Sequence, residues 1–233
     1  MATVILVRHA RSTANADGIL AGRTSGVTLD ETGREQAARI GERLAPLPLV
    51  TVVTSPLDRC RQTAQEIADR QARPLATVVD EELTECDYGR WQGRRLADLA
   101  REELWSVVQR QPSAVVFPGG ESLVAMHARA ARAVRRIDTA VEAEHGPAAV
   151  WAAVTHGDLV KAVLADALGL HLDLFQRIHV HPASASVVRY TPAQPHVIAM
   201  NTDAGDLSWL RAPTDAAQVG GGAGPGASAA TGS

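Results

Sequence analysis

Three short apolar runs, each ending abruptly in a polar cluster, limit what this chain can fold into. Thr3-Val4-Ile5-Leu6-Val7 runs into Arg8-His9, Val50 to Thr54 runs into Ser55-Pro56-Leu57-Asp58-Arg59, and Ala148 to Thr155 runs into His156-Gly157-Asp158. Continuous apolar, β-branched stretches of this length suit strands covered on both faces. Helical patterns separate them. Asp30 to Glu35 opens one with Ala37, Ala38, Ile40 and Leu44 on a single face, and Pro46 and Pro48 end it. Leu57 to Arg70, about Leu96 to Gln109, Glu121 to Glu144 and Leu159 to Leu168 read as further helices. Leu75 to Val79 is a weaker strand, and Ala185 to Tyr190 with Val197 to Asn201 form a closing strand pair. Alternating strands and helices predict an α/β fold, a three-layer α/β/α sandwich around a mainly parallel sheet. Ligands of such sheets sit at the carboxyl ends of the strands. If the three strong strands are neighbours, their polar clusters converge on one rim.

The domain is expected over residues 1–211, with a small lid insertion at about 80–120 and a disordered Gly/Ala/Ser-rich tail over 212–233. The net charge of -3 gives no electrostatic reason to expect nucleic acid or an anionic membrane as partner. Only Lys161 is a lysine, so the positive charge is nearly all arginine. Two cysteines, Cys60 and Cys86, and an N-terminal apolar run too short for a signal peptide predict a cytoplasmic protein.

A rim with Arg8, His9, Arg59 and His156 suits phosphate chemistry. Guanidinium forks match phosphate oxygens. A neutral imidazole can attack phosphorus and hold the phosphoryl group covalently. A leaving alkoxide needs a proton, and the irregular stretch after residue 80 offers Glu82, Glu85 and Asp87 as acids.

Four blocks, in order, carry a resemblance. Leu6 to Asn15 resembles the signature Arg-His-Gly-x-Thr/Ser-x-x-Asn of the histidine phosphatase, or phosphoglycerate mutase-like, superfamily. Ser55 to Ala64, Leu83 to Gly93 and Val154 to Asp158 resemble its second, third and fourth blocks, and together they cover roughly Thr3 to Asn201. The chain is also similar along most of its length to an actinobacterial branch of that family named as phosphomutases. The resemblance implies a phosphoglycerate mutase-like fold and a phosphohistidine at His9. It implies that Arg8, Arg59 and His156 hold the phosphoryl oxygens, with Asn15, Gly22 and Gly157 beside them. Glu85 becomes the proton donor. No cofactor or metal is implied, the partner is a small-molecule phosphate ester, and a homodimer is possible within such a family.

Two departures bear on the activity. Ala10 replaces the usual Gly, which is tolerable only with an ordinary φ. Cys86 stands where phosphoglycerate mutases resemble one another in carrying an Arg that helps hold a substrate carboxylate. The segment Phe117 to Ser122 also resembles the phosphatase branch. Hydrolysis of a small phosphate monoester, such as a sugar or polyol phosphate, is therefore expected. A phosphoglycerate-type mutase is the alternative, and a catalytically silent binding module a further one. His179 and His181 share a face if extended, but no Asp, Glu or Cys stands at ligand spacing beside them, so no metal site is expected. Arg61 reads as an exposed helix residue and Arg11 as solvent-facing or a rim contact.

Overall fold

The apolar runs form the middle of one six-stranded sheet in the computed structural model, which describes residues 2–73 and 75–203. Its strands are β1 (Thr3–Arg8), β2 (Leu49–Thr54), β3 (Thr77–Val79), β4 (Val150–Thr155), β5 (Ala185–Tyr190) and β6 (Pro195–Thr202). They stand in the order β3-β2-β4-β1-β5-β6. The first four are mutually parallel; β5 and β6 add antiparallel at one edge. The helices are α1 (Thr13–Ala16), α2 (Glu31–Leu44), α3 (Asp58–Asp69), α4 (Leu96–Leu99), α5 (Glu103–Arg110), α6 (Leu123–His145) and α7 (Gly157–Leu168).

The continuous apolar character of β1 has a direct cause. Val4 and Leu6 enter the core built with α6 and α7, while Ile5 and Val7 enter the one built with α2 and α3. Both faces of the strand are covered, so no position can be polar until the strand ends. Asp30 caps α2 by accepting from Gly33 N at 2.7 Å, and Ser122 caps α6 by accepting from Ala125 N at 3.0 Å.

The register sets the level of the site. Arg8 pairs with Thr155 across β1 and β4, and Thr54 pairs with Val154 across β2 and β4. His9, Ser55 and His156 therefore leave the sheet side by side at its carboxyl rim.

The stretch after residue 80 departs from the expected single helix. It breaks between α4 and α5, where Glu102 takes extended backbone and caps α5. The carboxylate of Glu102 accepts from Trp91 Nε1 at 3.0 Å and pairs with Arg94, which holds it out of helical geometry. Trp91 is buried against Trp105 and Phe117, so it is packing and not a stacking platform. The short helix α1, inside what the sequence reads as loop, is closed by a capping box in which Ser12 and Asn15 bond reciprocally. The tail expected to be disordered, 212–233, and Trp209 lie outside the described residues.

Candidate active site

β1 delivers His9 to the rim with its tautomer already decided. Nδ1 lies 2.8 Å from the carbonyl of Ala10, which can only accept, so Nδ1 carries the proton. Nε2 keeps its lone pair and accepts from Arg59 Nε at 3.3 Å. Burial, then the charges of Arg59 and Arg8, holds the imidazole well below its ordinary pKa. His9 is thus a neutral base with Nε2 facing the pocket. Ala10 accommodates this without strain. The non-glycine residues with positive φ among those described are Ala183 and Asn201, so Ala10 keeps an ordinary φ.

Arg59 sits in the first turn of α3, directly after β2. Its Nη2 donates to the carbonyl of Gly22 at 2.7 Å and to His156 Nδ1 at 3.3 Å. Its Nη1 is buried and makes no hydrogen bond among the described residues. A buried guanidinium nitrogen without an acceptor calls for an explanation. It belongs to the guanidinium whose Nε meets the His9 lone pair, and Arg59 lines the pocket with His9, where an oxyanion would satisfy such a cation.

His156 caps the start of α7. With Nδ1 accepting from Arg59, its Nε2–H donates to Ser55 Oγ at 2.8 Å. Its ring lies edge-on to His9, with centroids 5.2 Å apart. Burial, Arg59 and His9 push its pKa well below the usual value, so it too is neutral. Cys60 Sγ lies 3.4 Å from His156 Nε2, but burial pushes this thiol up to about 12, and it stays protonated.

Glu85 is the carboxyl that reaches the pocket. It is 3% exposed, Oε1 accepts from Cys86 N at 2.9 Å, and Oε2 stands 3.8 Å from His156 Nδ1. Burial and then the charge of Asp158 push its pKa up to about 7. Glu82, its rival in the sequence, faces outward onto Arg132 and Arg136, whose hydrogen bonds lower its pKa. The two carboxyls diverge: one keeps its proton up to about neutrality, the other gives it up more readily than a free glutamate.

The pocket at His9 is lined by Ser12, Asn15, Gly22, Arg59 and Glu85, with Ile19, Leu20, Ala21 and Leu96 as its apolar wall. Asn15 spends Oδ1 on Ser12, accepting from its N and Oγ, so its amide nitrogen is the group left for a ligand. Gly22 has φ +53°, and an added Cβ would stand 2.4 Å from Gln92 Oε1, so a side chain there would be strained and would displace the Gln92 amide. Its carbonyl serves Arg59. Arg8 is fully buried behind the pocket wall and donates from Nη1 to Val180 O at 2.8 Å, while burial lowers its pKa to about 10. Gly157 begins α7 beneath His156 and is not part of the pocket wall. Arg61 is exposed on α3, and Arg11 pairs with Asp30 at 2.7 Å. Among the described residues no group of three or more His, Cys, Asp or Glu could hold a metal ion.

Two members of the polar clusters, Ser55 and Asp158, take roles that the sequence reading did not assign. Ser55 follows β2 as His9 follows β1, and that parity was a usable signal. Asp158 is buried between Tyr88 Oη at 2.8 Å and Lys161 Nζ at 3.3 Å. Nothing in the sequence ties Tyr88 to a residue seventy positions on.

The geometry has its counterpart among known proteins. The profile of the histidine phosphatase superfamily (branch 1) matches residues 4–203. The chain belongs to this superfamily. Among its relatives, Phosphoserine phosphatase 1 of Hydrogenobacter thermophilus is 30% identical over 86% of this chain and 92% of its own length. Probable phosphoglycerate mutase GpmB of Klebsiella pneumoniae is 31% identical over 91% of this chain and 97% of its own. The solved mycobacterial glucosyl-3-phosphoglycerate phosphatase in complex with VO3 superposes with a TM-score of 0.77 at 25% identity, covering 86% of this chain and 99% of that one. A histidine phosphatase superfamily chain with such relatives is an enzyme of the phosphoric monoester hydrolase or mutase kind. No helix among the described residues is long and apolar enough to cross a membrane.

Proposed function

We propose that this enzyme is a metal-independent phosphatase that hydrolyses a small phosphate monoester through a phosphohistidine on His9. The observation that carries the reading is the Arg59 guanidinium, which meets the lone pair of His9 Nε2 through Nε at 3.3 Å and keeps a buried Nη1 without a hydrogen bond among the described residues. A phosphoryl oxygen held by this guanidinium brings phosphorus to the nucleophile. Phosphoryl transfer demands mainly positioning and charge compensation on the equatorial oxygens. Arg59 supplies both from the pocket wall, and Arg8 adds positive potential from behind it.

The reaction closes in two steps. His9 Nε2 attacks phosphorus as the ester P–O bond breaks, and the Glu85 carboxyl gives its proton to the departing alkoxide. Glu85, now a carboxylate, takes a proton from water as that water attacks the phosphohistidine. The N–P bond breaks, and inorganic phosphate leaves with His9 neutral and Glu85 reprotonated. Asn15 adds a hydrogen bond near the phosphate from its amide nitrogen, and His156, its one N–H spent on Ser55, positions the Arg59 guanidinium through Nδ1. The organic part of the ester lies against Ile19, Leu20, Ala21 and Leu96. Cys60 and Cys86, both free thiols, suit a reducing, cytoplasmic setting.

Water is favoured over a second substrate oxygen as acceptor because Cys86, buried in the core, replaces the arginine through which a mutase would hold a carboxylate. A panel of cellular phosphate esters separates the two, with inorganic phosphate and isomer measured together. Phosphate release is expected. Isomer formation without phosphate release would contradict hydrolysis.

The acid role of Glu85 has a pH signature. A general acid must be protonated to act, so kcat/KM for an alkyl monoester falls as pH rises through about 7. His9 and His156 stay neutral well below their ordinary range, so no acid limb appears between neutrality and mild acid. In Glu85→Gln the basic limb disappears and the rate on alkyl esters drops by about 10²–10⁴-fold. The same change stabilises the fold at neutral pH. A carboxyl whose folded pKa is raised to about 7 holds its proton more tightly folded than unfolded, so its contribution is full below the unfolded value and lost as pH rises through 7. Glutamine removes that loss, and a rise in Tm equivalent to about 1–3 kcal/mol is expected at neutral pH.

A further inference from the structure

Gly22 and Arg23 are adjacent in sequence, and each reaches a different half of the site. The carbonyl of Gly22 holds Arg59 Nη2 at 2.7 Å. The guanidinium of Arg23 donates from Nε to the backbone carbonyl of Glu85 at 2.8 Å and from Nη2 to Glu121 Oε1 at 2.9 Å. Glu121 Oε1 is a hub, accepting also from Asp87 N at 2.9 Å and from Arg129 Nη2 at 2.7 Å. Arg129 in turn donates to the carbonyls of Glu82 at 2.6 Å and Thr84 at 2.8 Å. The backbone around Glu85 is therefore gripped from both sides. The loop carrying Arg23 has no slack. Gln92 Oε1 accepts from Arg23 N and fills the space where a Gly22 side chain would be.

We propose that Arg23 is a positioning residue for the proton donor: through the Glu85 backbone it fixes the Glu85 carboxyl relative to the phosphoryl group bound by Arg59. This rests on Glu85 being the acid. The carboxyl's one hydrogen bond to backbone comes from its neighbour Cys86, so wherever the 85–86 backbone goes the carboxyl follows. General acid catalysis tolerates little error, because donor and leaving oxygen must come within hydrogen-bond reach in the transition state. Two consecutive residues, one holding the phosphate-binding cation and the next holding the acid, set that separation directly. An ordinary half-exposed ion pair contributes little. Arg23 differs in that one of its donors ends on the carbonyl of the acid itself.

Leaving-group chemistry isolates this role. An alkyl phosphate expels a strongly basic alkoxide that needs the proton, whereas 2,4-dinitrophenyl phosphate expels a stable phenolate that does not. For Arg23→Ala, kcat/KM on the alkyl ester is expected to fall about 10–100-fold, with a change below about 3-fold on the dinitrophenyl ester. Added guanidinium ion should recover part of the alkyl-ester activity. Arg23→Gln carries the same comparison should the alanine variant fold poorly. Equal losses on the two esters, or no loss on the alkyl ester, would overturn the proposal. An alkyl-ester rate left untouched by Glu85→Gln, with Arg23 in place, would instead remove the acid role of Glu85, and the role of Arg23 with it.

Discussion

His9→Ala loses phosphate release by at least about 10⁴-fold in kcat, because without the nucleophile no covalent step remains. The residual rate would come from a water molecule placed where Nε2 stood and activated only by the surrounding positive charge. Folding should survive. The single donor of the imidazole ends on the neighbouring carbonyl of Ala10, and its long-range contacts are with Arg59 Nε and the edge of His156, inside the site and not in the apolar core. His9 is buried and neutral, so its removal leaves no uncompensated charge. Phosphate-release kinetics beside far-UV circular dichroism and a thermal melt check this. Unchanged turnover in a folded variant would refute the mechanism.

Arg59→Ala is the second large effect, with kcat/KM reduced by about 10³–10⁵-fold. Arg59 alone joins three parts of the site: the Gly22 carbonyl, the His9 lone pair and His156 Nδ1. Its removal takes the guanidinium from the phosphoryl oxygens and leaves the Gly22 carbonyl unpaired in a buried setting. Arg59→Lys keeps the charge but not the fork, so a loss of about 10²–10³-fold is expected. There is a distinct pH readout. After burial, Arg59 is the largest cause of the low His9 pKa. Without it that pKa rises toward the ordinary value, and His9 becomes protonated as pH falls. The Arg59→Ala rate should therefore acquire an acid limb absent from the parent. A pH profile of kcat/KM from mild acid to neutrality checks this, and a profile of unchanged shape would count against the coupling.

What the sequence revealed follows from which interactions are local. β1, β2 and β4 were readable because a strand covered on both faces must be apolar throughout, and its end is marked by the first polar residue. His9 and His156 were readable for the same reason, since each follows such an ending at the same height, and Arg59 because it lies in the first turn of the helix after the ending of β2. The break between α4 and α5 was not readable. It depends on Glu102 being held by Trp91 and Arg94, residues outside its own helical pattern. Glu85 could be separated from Glu82 by resemblance alone; in space they differ because Arg132 and Arg136 of α6 claim Glu82 and leave Glu85 to the pocket. Arg23 had no sequence signal at all, because its partners are one backbone carbonyl and the carboxylates of Asp87 and Glu121, some sixty to a hundred positions away.

The phosphohistidine itself is the most direct test. The enzyme is mixed with excess ³²P-labelled substrate, quenched within milliseconds in alkali, digested and mapped. The expected result is acid-labile, alkali-stable label on the peptide containing His9, at no more than one per chain and absent from His9→Ala. Turnover at full rate with no label on that peptide, or with alkali-stable label on another residue, would contradict it.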